Sequence, residues 1–236
     1  MSRSRGLAPD QNRGDGVIDR IAPEVRRIVV VGAGGFGRGA LDVIDEVNAQ
    51  QRCWDFLGFL DDRPLDGVIG DTASLTTIDV DAYVIAIADP DVRRMLDSSR
   101  LEAARLVGPS AVVSHRSKPG PGTVIRSNTS VAADVRIGRH VHLNMNVTIG
   151  HDARLADYVT VHPGVNISGH VHVGEAASLG TGAVVLPGIE LGVGAIVGAG
   201  AVVVDDVPDR TVVVGNPARP LEGARRMQRS AGRERP

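Results

Sequence analysis

An aliphatic residue recurs at every sixth position through the C-terminal half of the chain. The series has fourteen consecutive members: Ile125, Val131, Ile137, Leu143, Ile149, Leu155, Val161, Ile167, Val173, Leu179, Val185, Leu191, Val197 and Val203. A period of six fits neither the 3.6-residue repeat of an amphipathic helix nor the two-residue alternation of a strand. It is typical of a parallel β-helix, in which each hexapeptide forms one flat side and a corner, and three sides close a triangular coil.

The repeat also predicts which residues stack. One coil takes about 18 residues, so residues 18 apart lie above one another at roughly the 4.8 Å spacing of neighbouring strands. A second series, two places before the first, is expected to share the interior: Val135, Val141, Val147, Ala153, Val159, Val165, Val171, Ala177 and Ala183. This part of the chain has room for about five coils.

Composition supports this architecture and excludes one class of function. Aromatic residues make up 3% of the 236 residues and glycine contributes 29, so the core must consist of Val, Ile, Leu and Ala packed closely against backbone. The net charge is -2 and there is no basic stripe. We therefore expect no nucleic-acid partner, because such a partner requires a concentrated positive field.

The cysteine content and the hydropathy indicate a compartment. Cys53 is the single cysteine, so no internal disulfide is available, which fits a reducing environment. The first 20 residues contain no apolar run of signal-peptide length, and no stretch approaches the roughly 20 apolar residues of a membrane span. We expect a cytoplasmic protein that does not insert into membranes.

The pattern divides the chain into four parts. Residues 1–25 are polar and without periodicity and are predicted to be a flexible tail. Residues 26–107 alternate apolar strands with helical spacing, which predicts a small α/β, Rossmann-like domain with a parallel sheet. Residues 108–215 carry the hexapeptide repeats, and residues 216–236 form a C-terminal segment and tail.

A glycine loop follows the first predicted strand. In "RIVVVGAGGFG", Gly32, Gly34 and Gly37 have the GxGxxG spacing between a strand and a helix, the context in which a loop cradles phosphate. The domain spans only about 80 residues, and Asp61 and Asp62 come later than the roughly 20 positions at which a dinucleotide fold places its acidic residue, so a nucleotide-linked ligand is favoured over NAD. The alternative is a tight turn that binds nothing.

His151 and Asp152 interrupt the apolar repeat with an imidazole beside a carboxylate. By the 18-residue rule His151 lies between Ala133 and Gly169, two small residues that leave space around the ring. An imidazole is the natural general base at neutral pH, and a carboxylate can fix its tautomer. Adjacent side chains on an extended strand point apart, so the pair works together only if the corner turns both to one side. The alternative is that both residues are solvated corner positions.

Metal-assisted and covalent chemistry are less well supported by the sequence. Histidine pairs occur at 140–142 and 170–172, but they are 30 residues apart, which is not a multiple of 18, so no metal site is expected. The only thiol, Cys53, lies in the other domain, and no GxSxG surrounds any serine. Direct transfer of a group to an acceptor that His151 deprotonates is the simpler chemistry.

Six segments together resemble one enzyme family. They are "IVVVGAGGFGRGALDVID", "FLGFLDD", "PSAVVS", "LNMNVTIGHDA", "PGVNISGHVHVGE" and "VVGNPAR". The sequence is similar, from about Arg27 to Arg219, to bacterial sugar O- and N-acetyltransferases of the sialic acid O-acetyltransferase type, which include the acetyltransferases of UDP-linked 4-amino sugars. The resemblance implies a left-handed β-helix, a homotrimer with active sites between subunits, acetyl-CoA as co-substrate, and an N-terminal domain that holds the nucleotide part of the acceptor.

The resemblance also implies site residues. The catalytic base falls on His151 and its acidic partner on Asp152, and Asn144 matches an asparagine near the acceptor sugar. The residues implied to contact acetyl-CoA are Thr160, Gly169, Gly180 and Ala199. Those implied to contact the nucleotide sugar are Gly32, Gly34, Gly35, Phe36, Gly37, Asp61 and Asp62. There are two departures, since many members carry histidine where this chain has Thr160, and histidine is frequent at the position of Phe36.

The sequence therefore predicts an acetyl-CoA-dependent acetyltransferase with a histidine base and no metal. Its acceptor is expected to be a nucleotide-linked amino sugar, acetylated on nitrogen, or a sialic-acid-like sugar, acetylated on oxygen. Two alternatives stay open from the sequence. One is an acyltransferase acting on a small molecule without a nucleotide, and the other is a non-catalytic trimeric scaffold.

Overall fold

The computed structural model describes residues 24–97 and 100–221. The predicted tails lie almost wholly outside the described residues. The described part comprises an α/β domain followed by a left-handed parallel β-helix, as the sequence predicted.

The α/β domain is built on a five-stranded parallel sheet. In chain order its elements are β1 (Arg26–Val31), α1 (Gly35–Gln50), β2 (Trp54–Leu60), β3 (Val68–Gly70), a 3-10 helix (Thr72–Thr76), β4 (Ala82–Ile85), α2 (Pro90–Leu96) and β5 (Glu102–Ala103). The sheet order is β3-β2-β1-β4-β5. The central strand is apolar on both faces, and residues 28–31 are fully buried, as expected for a parallel strand covered on both sides.

Local sequence accounts for the two helices. α1 starts directly after the glycine loop and packs one face of small and aliphatic residues, including Ala40 and Ile44, against the sheet. α2 starts at Pro90, and the Asp89 carboxylate caps it by accepting hydrogen bonds from the backbone N–H groups of Asp91 at 2.9 Å and Val92 at 3.3 Å. α1 follows the glycine loop, as the sequence predicted.

The β-helix has three faces of two- or three-residue strands. The first face contains Leu106–Val107, Val124–Ile125, His142–Leu143, Thr160–Val161, Ser178–Leu179, Ile196–Val197 and Val212–Val214, with Arg219–Pro220 added antiparallel. The second contains Val112–Val113, Ser130–Val131, Thr148–Ile149, Asn166–Ile167, Val184–Val185 and Val202–Val203. The third contains Lys118–Pro119, Arg136–Ile137, Arg154–Leu155, His172–Val173 and Glu190–Leu191.

The pairing register follows the predicted 18-residue coil. Thr148 pairs with Ser130 below it and with Asn166 above it, each 18 residues away. Both predicted aliphatic series point inward and form one continuous core. The estimate of about five coils is too low, because the first face has seven parallel strands among the described residues. Pro119 breaks the aliphatic series at its start, and the last coil, from Ile196 to its partner Val212, is only 16 residues long.

The corners repeat with the same period. Left-handed backbone, with φ between +51° and +75°, occurs at fourteen positions six apart: Gly122, Asn128, Asp134, His140, Asn146, Asp152, Tyr158, Gly164, His170, Ala176, Gly182, Gly188, Gly194 and Gly200. Gly, Asn, Asp and His tolerate this conformation better than other residues. Each such residue turns the chain from one face to the next.

The α/β domain packs against the lower coils of the first face. The outward side chains of that face are buried at Val124, His142 and Thr160, whereas Ser178 and Ile196, further along, are partly exposed. We call the buried contact the domain junction. No helix in the described ranges is long and apolar enough to cross a bilayer.

Candidate active site

His151 and Asp152 lie at a corner between the second and third faces. Asp152 has φ +59°, and this left-handed corner turns the two side chains to the same side. His151 Nδ1 lies 2.9 Å from Asp152 Oδ2. With Nδ1–H donating to the carboxylate, Nε2 is left as the proton-accepting atom. The corner therefore turns both side chains to one side, as the predicted pairing of His151 and Asp152 requires.

The pair is open to the outside of the protomer. The side chain of His151 is 61% exposed and that of Asp152 is 48% exposed. The hydrogen bond from His151 lowers the pKa of the Asp152 carboxyl, so this group is ionised at neutral pH. A carboxylate in this state orients the imidazole and stabilises its protonated form.

Gly169 lies one coil above His151 and touches its ring. A Cβ on Gly169 would lie 2.9 Å from Nε2 and 3.0 Å from Cε1 of His151. The space predicted above the imidazole is therefore occupied by the ring itself, and the absence of a side chain at Gly169 makes that position possible. The His170 ring approaches His151 edge-on at 4.9 Å.

The histidine pairs have different environments. His140 Nε2 lies 3.0 Å from an Asp97 oxygen, and His142 Nε2 donates to Ile85 O at 2.8 Å, both in the domain junction. His170 lies beside the His151–Asp152 pair, and one ligand atom each from His151, Asp152 and His170 falls within 4.8 Å of the others. The hydrogen bond between His151 and Asp152 and the edge-on contact of the His170 ring with His151 account for this proximity, and the absence of a metal stays a prediction.

The glycine loop is shaped by close packing on one side and is open on the other. Gly32 has φ +100°, and a Cβ there would lie 2.9 Å from Ala86 O, whereas a Cβ on Gly37 would lie 1.9 Å from Gly32 O. Gly35 has no atom within 4 Å of its Cβ position and is exposed. A ligand can therefore approach the backbone only where the helix begins.

Asp61 and Asp62 hold the neighbourhood of this loop in shape. Asp61 Oδ2 accepts a hydrogen bond from Ala33 N at 2.8 Å, and its two oxygens pair with Arg63. Because of Arg63, the pKa of Asp61 falls to about 2. Asp62 accepts from the backbone N–H and hydroxyl of Thr72 at 3.0 and 2.9 Å. Both carboxylates thus have protein partners, and their contact with a nucleotide stays a prediction.

Asn144 lies at a different corner from His151, between the first and second faces. It is 8% exposed, and its Oδ1 accepts hydrogen bonds from Met145 N at 2.9 Å and Arg126 Nη1 at 3.3 Å. Together with Phe36 and His142 it lines a cavity of about 10 Å³, the size of one water molecule. Asn144 therefore belongs to the glycine-loop side of the junction, apart from the His151 of its own protomer.

Thr160 lies in the interior of the domain junction. It is 1% exposed, and its hydroxyl accepts a hydrogen bond from Arg93 Nη2 at 2.9 Å and lies 3.3 Å from Ala88 O. No part of the hydroxyl is free to meet a ligand in this protomer. The α/β domain packed over this strand covers the side chain. The predicted contact of Thr160 with acetyl-CoA stays a prediction.

Gly180 and Ala199 lie near the corner of Asn144, two and three coils above it. A Cβ on Gly180 would lie 2.6 Å from Ala199 N, so the glycine allows the two coils to stack closely. Their predicted contact with acetyl-CoA stays a prediction.

Two residues of the junction were not assigned from the sequence. Arg93 is fully buried, and its guanidinium donates to Ile87 O, Ala88 O, Tyr158 O and Thr160 Oγ1. Nothing in the amphipathic pattern of α2 distinguishes it from an exposed arginine. His162 lies beside Phe36, with ring centroids 6.0 Å apart, and the column of residues 18 apart that joins Asn144, His162 and Gly180 is the signal that points to it.

Two family profiles match the sequence. The PglD N-terminal domain matches residues 27–97, and the bacterial transferase hexapeptide, of six repeats, matches residues 134–169. No curated protein matches the sequence significantly.

Solved structures extend the similarity to both domains. The acetyltransferase domain of PglB from Neisseria gonorrhoeae FA1090, in complex with acetyl coenzyme A, is 31% identical, with a TM-score of 0.78 over 84% of this chain and 100% of that one. PerB from Caulobacter crescentus, in complex with CoA and GDP-perosamine, is 30% identical, with a TM-score of 0.75 over 82% and 96%. WeeI from Acinetobacter baumannii AYE is 32% identical, with a TM-score of 0.73 over 82% and 99%.

These similarities confirm the resemblance seen in the sequence motifs. Similarity to acetyltransferases over both domains contradicts the alternative of a non-catalytic scaffold. The chain therefore belongs to the acetyl-CoA-dependent sugar acetyltransferases that combine a PglD N-terminal domain with hexapeptide repeats.

Proposed function

We propose that the protein transfers an acetyl group from acetyl-CoA to the amine of a nucleotide-linked amino sugar. The observation that carries the proposal is the hydrogen bond of 2.9 Å between His151 and Asp152 at an exposed corner. PerB, which is similar over both domains, has been crystallised with CoA and GDP-perosamine. That similarity favours an amine acceptor over a hydroxyl.

The geometry supports direct transfer. The acceptor nitrogen attacks the thioester carbonyl carbon, so that a C–N bond forms and the C–S bond breaks. His151 Nε2 takes the proton that the nitrogen must lose and returns it to the departing CoA sulfur. Asp152, ionised and bound to Nδ1, stabilises the imidazolium between these two steps. Backbone N–H groups stabilise the negative charge on the carbonyl oxygen.

The glycine loop supports a nucleotide-linked acceptor. Its open side is the backbone at Gly35, at the start of a 16-residue helix, where N–H groups and the helix dipole favour phosphate. Phe36 adjoins this opening and contacts His142 and His162 of the β-helix. A nucleotide bound at the loop would thus direct its sugar toward the β-helix corner of Asn144 and His162.

The proposed active form is a homotrimer. Within one protomer His151 and Asn144 lie at the two opposite corners of the second face, so a second copy is needed to bring such corners together. The outward side chains of the second face carry no charge: Val112, Ser130, Thr148, Asn166, Val184 and Val202. Those of the third face include Arg136, Arg154 and Glu190. The second face is the better candidate for subunit contact, because burying unpaired charge is costly.

The proposed location is the cytoplasm. Acetyl-CoA is made and used there, and the single Cys53, which has no partner for an internal disulfide, fits a reducing environment.

The test is an acetylation assay with the full chain. Acetyl-CoA is offered with UDP-, GDP- and dTDP-linked amino sugars, with the matching hydroxy sugars and with free amino alcohols, and products are identified by mass spectrometry. We expect a mass gain of one acetyl group on a nucleotide-linked amino sugar. Transfer only to acceptors without a nucleotide, combined with no binding of UDP, GDP or dTDP in calorimetry, would support the alternative of a non-nucleotide acceptor.

A further inference from the structure

His162 occupies a central place on the corner between the first and second faces. It lies one coil above Asn144 and one coil below Gly180, and its backbone N–H is anchored to Leu179 O at 2.9 Å. Its side chain is partly buried. The His162 and Phe36 rings are in contact edge to face, with 84° between their planes. It therefore lies where the glycine loop meets the β-helix.

The ring of His162 makes no hydrogen bond within residues 24–97 and 100–221. By contrast, His140 and His142 each use Nε2 for a hydrogen bond in the junction. A neutral imidazole has one donor and one acceptor, and neither ring nitrogen of His162 is among the fully buried polar atoms without a partner, whereas Nδ1 of His140 and Nδ1 of His142 are. The ring nitrogens of His162 are thus available to a molecule that enters between Phe36 and the corner.

The charge of the buried Arg93 acts on this ring. The four hydrogen-bond acceptors of the Arg93 guanidinium are three backbone carbonyls and the Thr160 hydroxyl, so none of them neutralises its charge. Burial, and then the charge of Arg93, lower the pKa of His162. The imidazole is therefore neutral at neutral pH, and it can both donate and accept a hydrogen bond.

We infer that His162 binds the acceptor sugar, as a neutral imidazole that exchanges hydrogen bonds with a hydroxyl group on the sugar ring. A hydroxyl group is also both donor and acceptor, so it matches the two functions that the imidazole offers. Phe36, whose ring centroid lies 6.0 Å from that of His162, is the apolar neighbour of this binding position. This role differs from that of His151, which acts on the reacting amine, and the inference rests on the proposed function.

Two substitutions test the inference by separating ring shape from hydrogen bonding. His162→Phe keeps a ring against Phe36 but removes both nitrogens, whereas His162→Asn is smaller and keeps a donor and an acceptor. Steady-state kinetics are measured with the nucleotide amino sugar and acetyl-CoA varied separately. His162→Phe is expected to raise the acceptor KM by roughly tenfold, as for the loss of one or two hydrogen bonds, with the acetyl-CoA KM within about twofold of wild type. His162→Asn is expected to recover part of the loss.

The control is His115→Phe, which changes an exposed histidine at a different corner of the β-helix from His162, between the second and third faces. Circular dichroism and thermal melting establish that each variant is folded. An unchanged acceptor KM in folded His162→Phe overturns the inference and leaves the proposed function standing. A rise confined to the acetyl-CoA KM also overturns it, since the residue would then serve the donor. Failure of the wild type to acetylate any nucleotide sugar overturns the function and the inference together.

Discussion

At the scale of single residues, one backbone angle determines whether His151 and Asp152 can act as a pair. On an extended strand their side chains would point to opposite sides, but Asp152 has φ +59° and occupies a corner. Aspartate is among the residues that tolerate this conformation, and here the same residue supplies the carboxylate. The corner position therefore serves the fold and also brings together the two side chains of the proposed catalytic pair.

Replacement of the base is the first prediction. We expect His151→Ala to lower kcat by about two to four powers of ten, the usual range for loss of a general base. The side chain is 61% exposed, so the melting temperature should change little. Acetyl transfer is measured by release of free CoA thiol, with His115→Ala as the matched control on the exposed surface. Wild-type turnover in folded His151→Ala would refute the assignment.

Gly169 permits a second prediction because of its contact with the imidazole. In Gly169→Ala the new Cβ would lie 2.9 Å from His151 Nε2, so the ring must move away. The displaced base is expected to lose roughly tenfold to a hundredfold in kcat, since catalysis depends on position at the scale of 1 Å. The exposed ring can move without unfolding the coil, so we expect the melting temperature to fall only slightly. Unchanged kcat in this variant would show that the ring position seen here is not the reactive one.

At the scale of elements, the domain junction depends on α2 and its buried arginine. Arg93→Met would leave three backbone carbonyls and one hydroxyl without their donor in a buried place. We expect unfolding free energy to fall by about 3 kcal/mol or more. Arg94→Met is the control on the same helix, because its ion pairs with Asp91 and Glu175 are exposed and should be worth less than about 1 kcal/mol. Urea unfolding followed by circular dichroism compares the two, and equal losses would contradict the prediction.

The same junction predicts a dependence of stability on pH. Burial, and then Arg93, hold the pKa of His142 well below its ordinary value, and the pKa values of His140 and His162 are also lowered, mainly by burial. As pH falls below about 6.5, the unfolded chain takes up protons that the folded chain does not. This contribution to stability is therefore complete above that pH and is lost as the pH falls toward the folded-state pKa values.

The measurement is urea unfolding at several pH values between 7.5 and 5. Each histidine that stays neutral in the folded state contributes up to about 1.4 kcal/mol per pH unit to the slope. His142→Gln removes one such group, and its amide can still donate toward Ile85 O, the present partner of the ring. We expect a shallower slope than in wild type. A slope identical to that of wild type would show that His142 does not titrate as the buried environment implies.

Some elements could be predicted from the sequence and others could not, for physical reasons. The inward residues of the β-helix repeat every six positions because the geometry of the coil repeats. The three faces, the pairing register and the core of the β-helix could therefore be predicted from this spacing. The short strands β3 and β5, of three and two residues, carry no alternation long enough to detect. The burial of Thr160 could not be predicted, because coverage by another domain leaves no mark on the sequence of the covered strand.

At the scale of the whole molecule, the two parts of the site have different kinds of sequence signal. The His151–Asp152 pair is local, and one corner suffices to form it. The glycine-loop side combines Phe36, Asn144 and His162 from elements more than 100 residues apart, and only packing of the domains shows that they meet. The buried charge of Arg93 belongs to this second group, since its effect depends on surroundings supplied by both domains.

Assembly provides the last prediction, because the proposed reaction needs more than one copy of the chain. If the uncharged second face lies between subunits, Thr148→Arg places an unpaired charge there, at a side chain exposed in the protomer. We expect this variant to sediment as a monomer and to keep the circular dichroism of the folded coil. Its transfer activity should fall by about a hundredfold or more, because His151 of one protomer would no longer meet the corner of Asn144 and His162 in another. Lys118→Glu, on the charged third face, is the control and should sediment and turn over like wild type. A fully active monomer, whether wild type or Thr148→Arg, would place the complete site within one protomer and would contradict the shared-site arrangement.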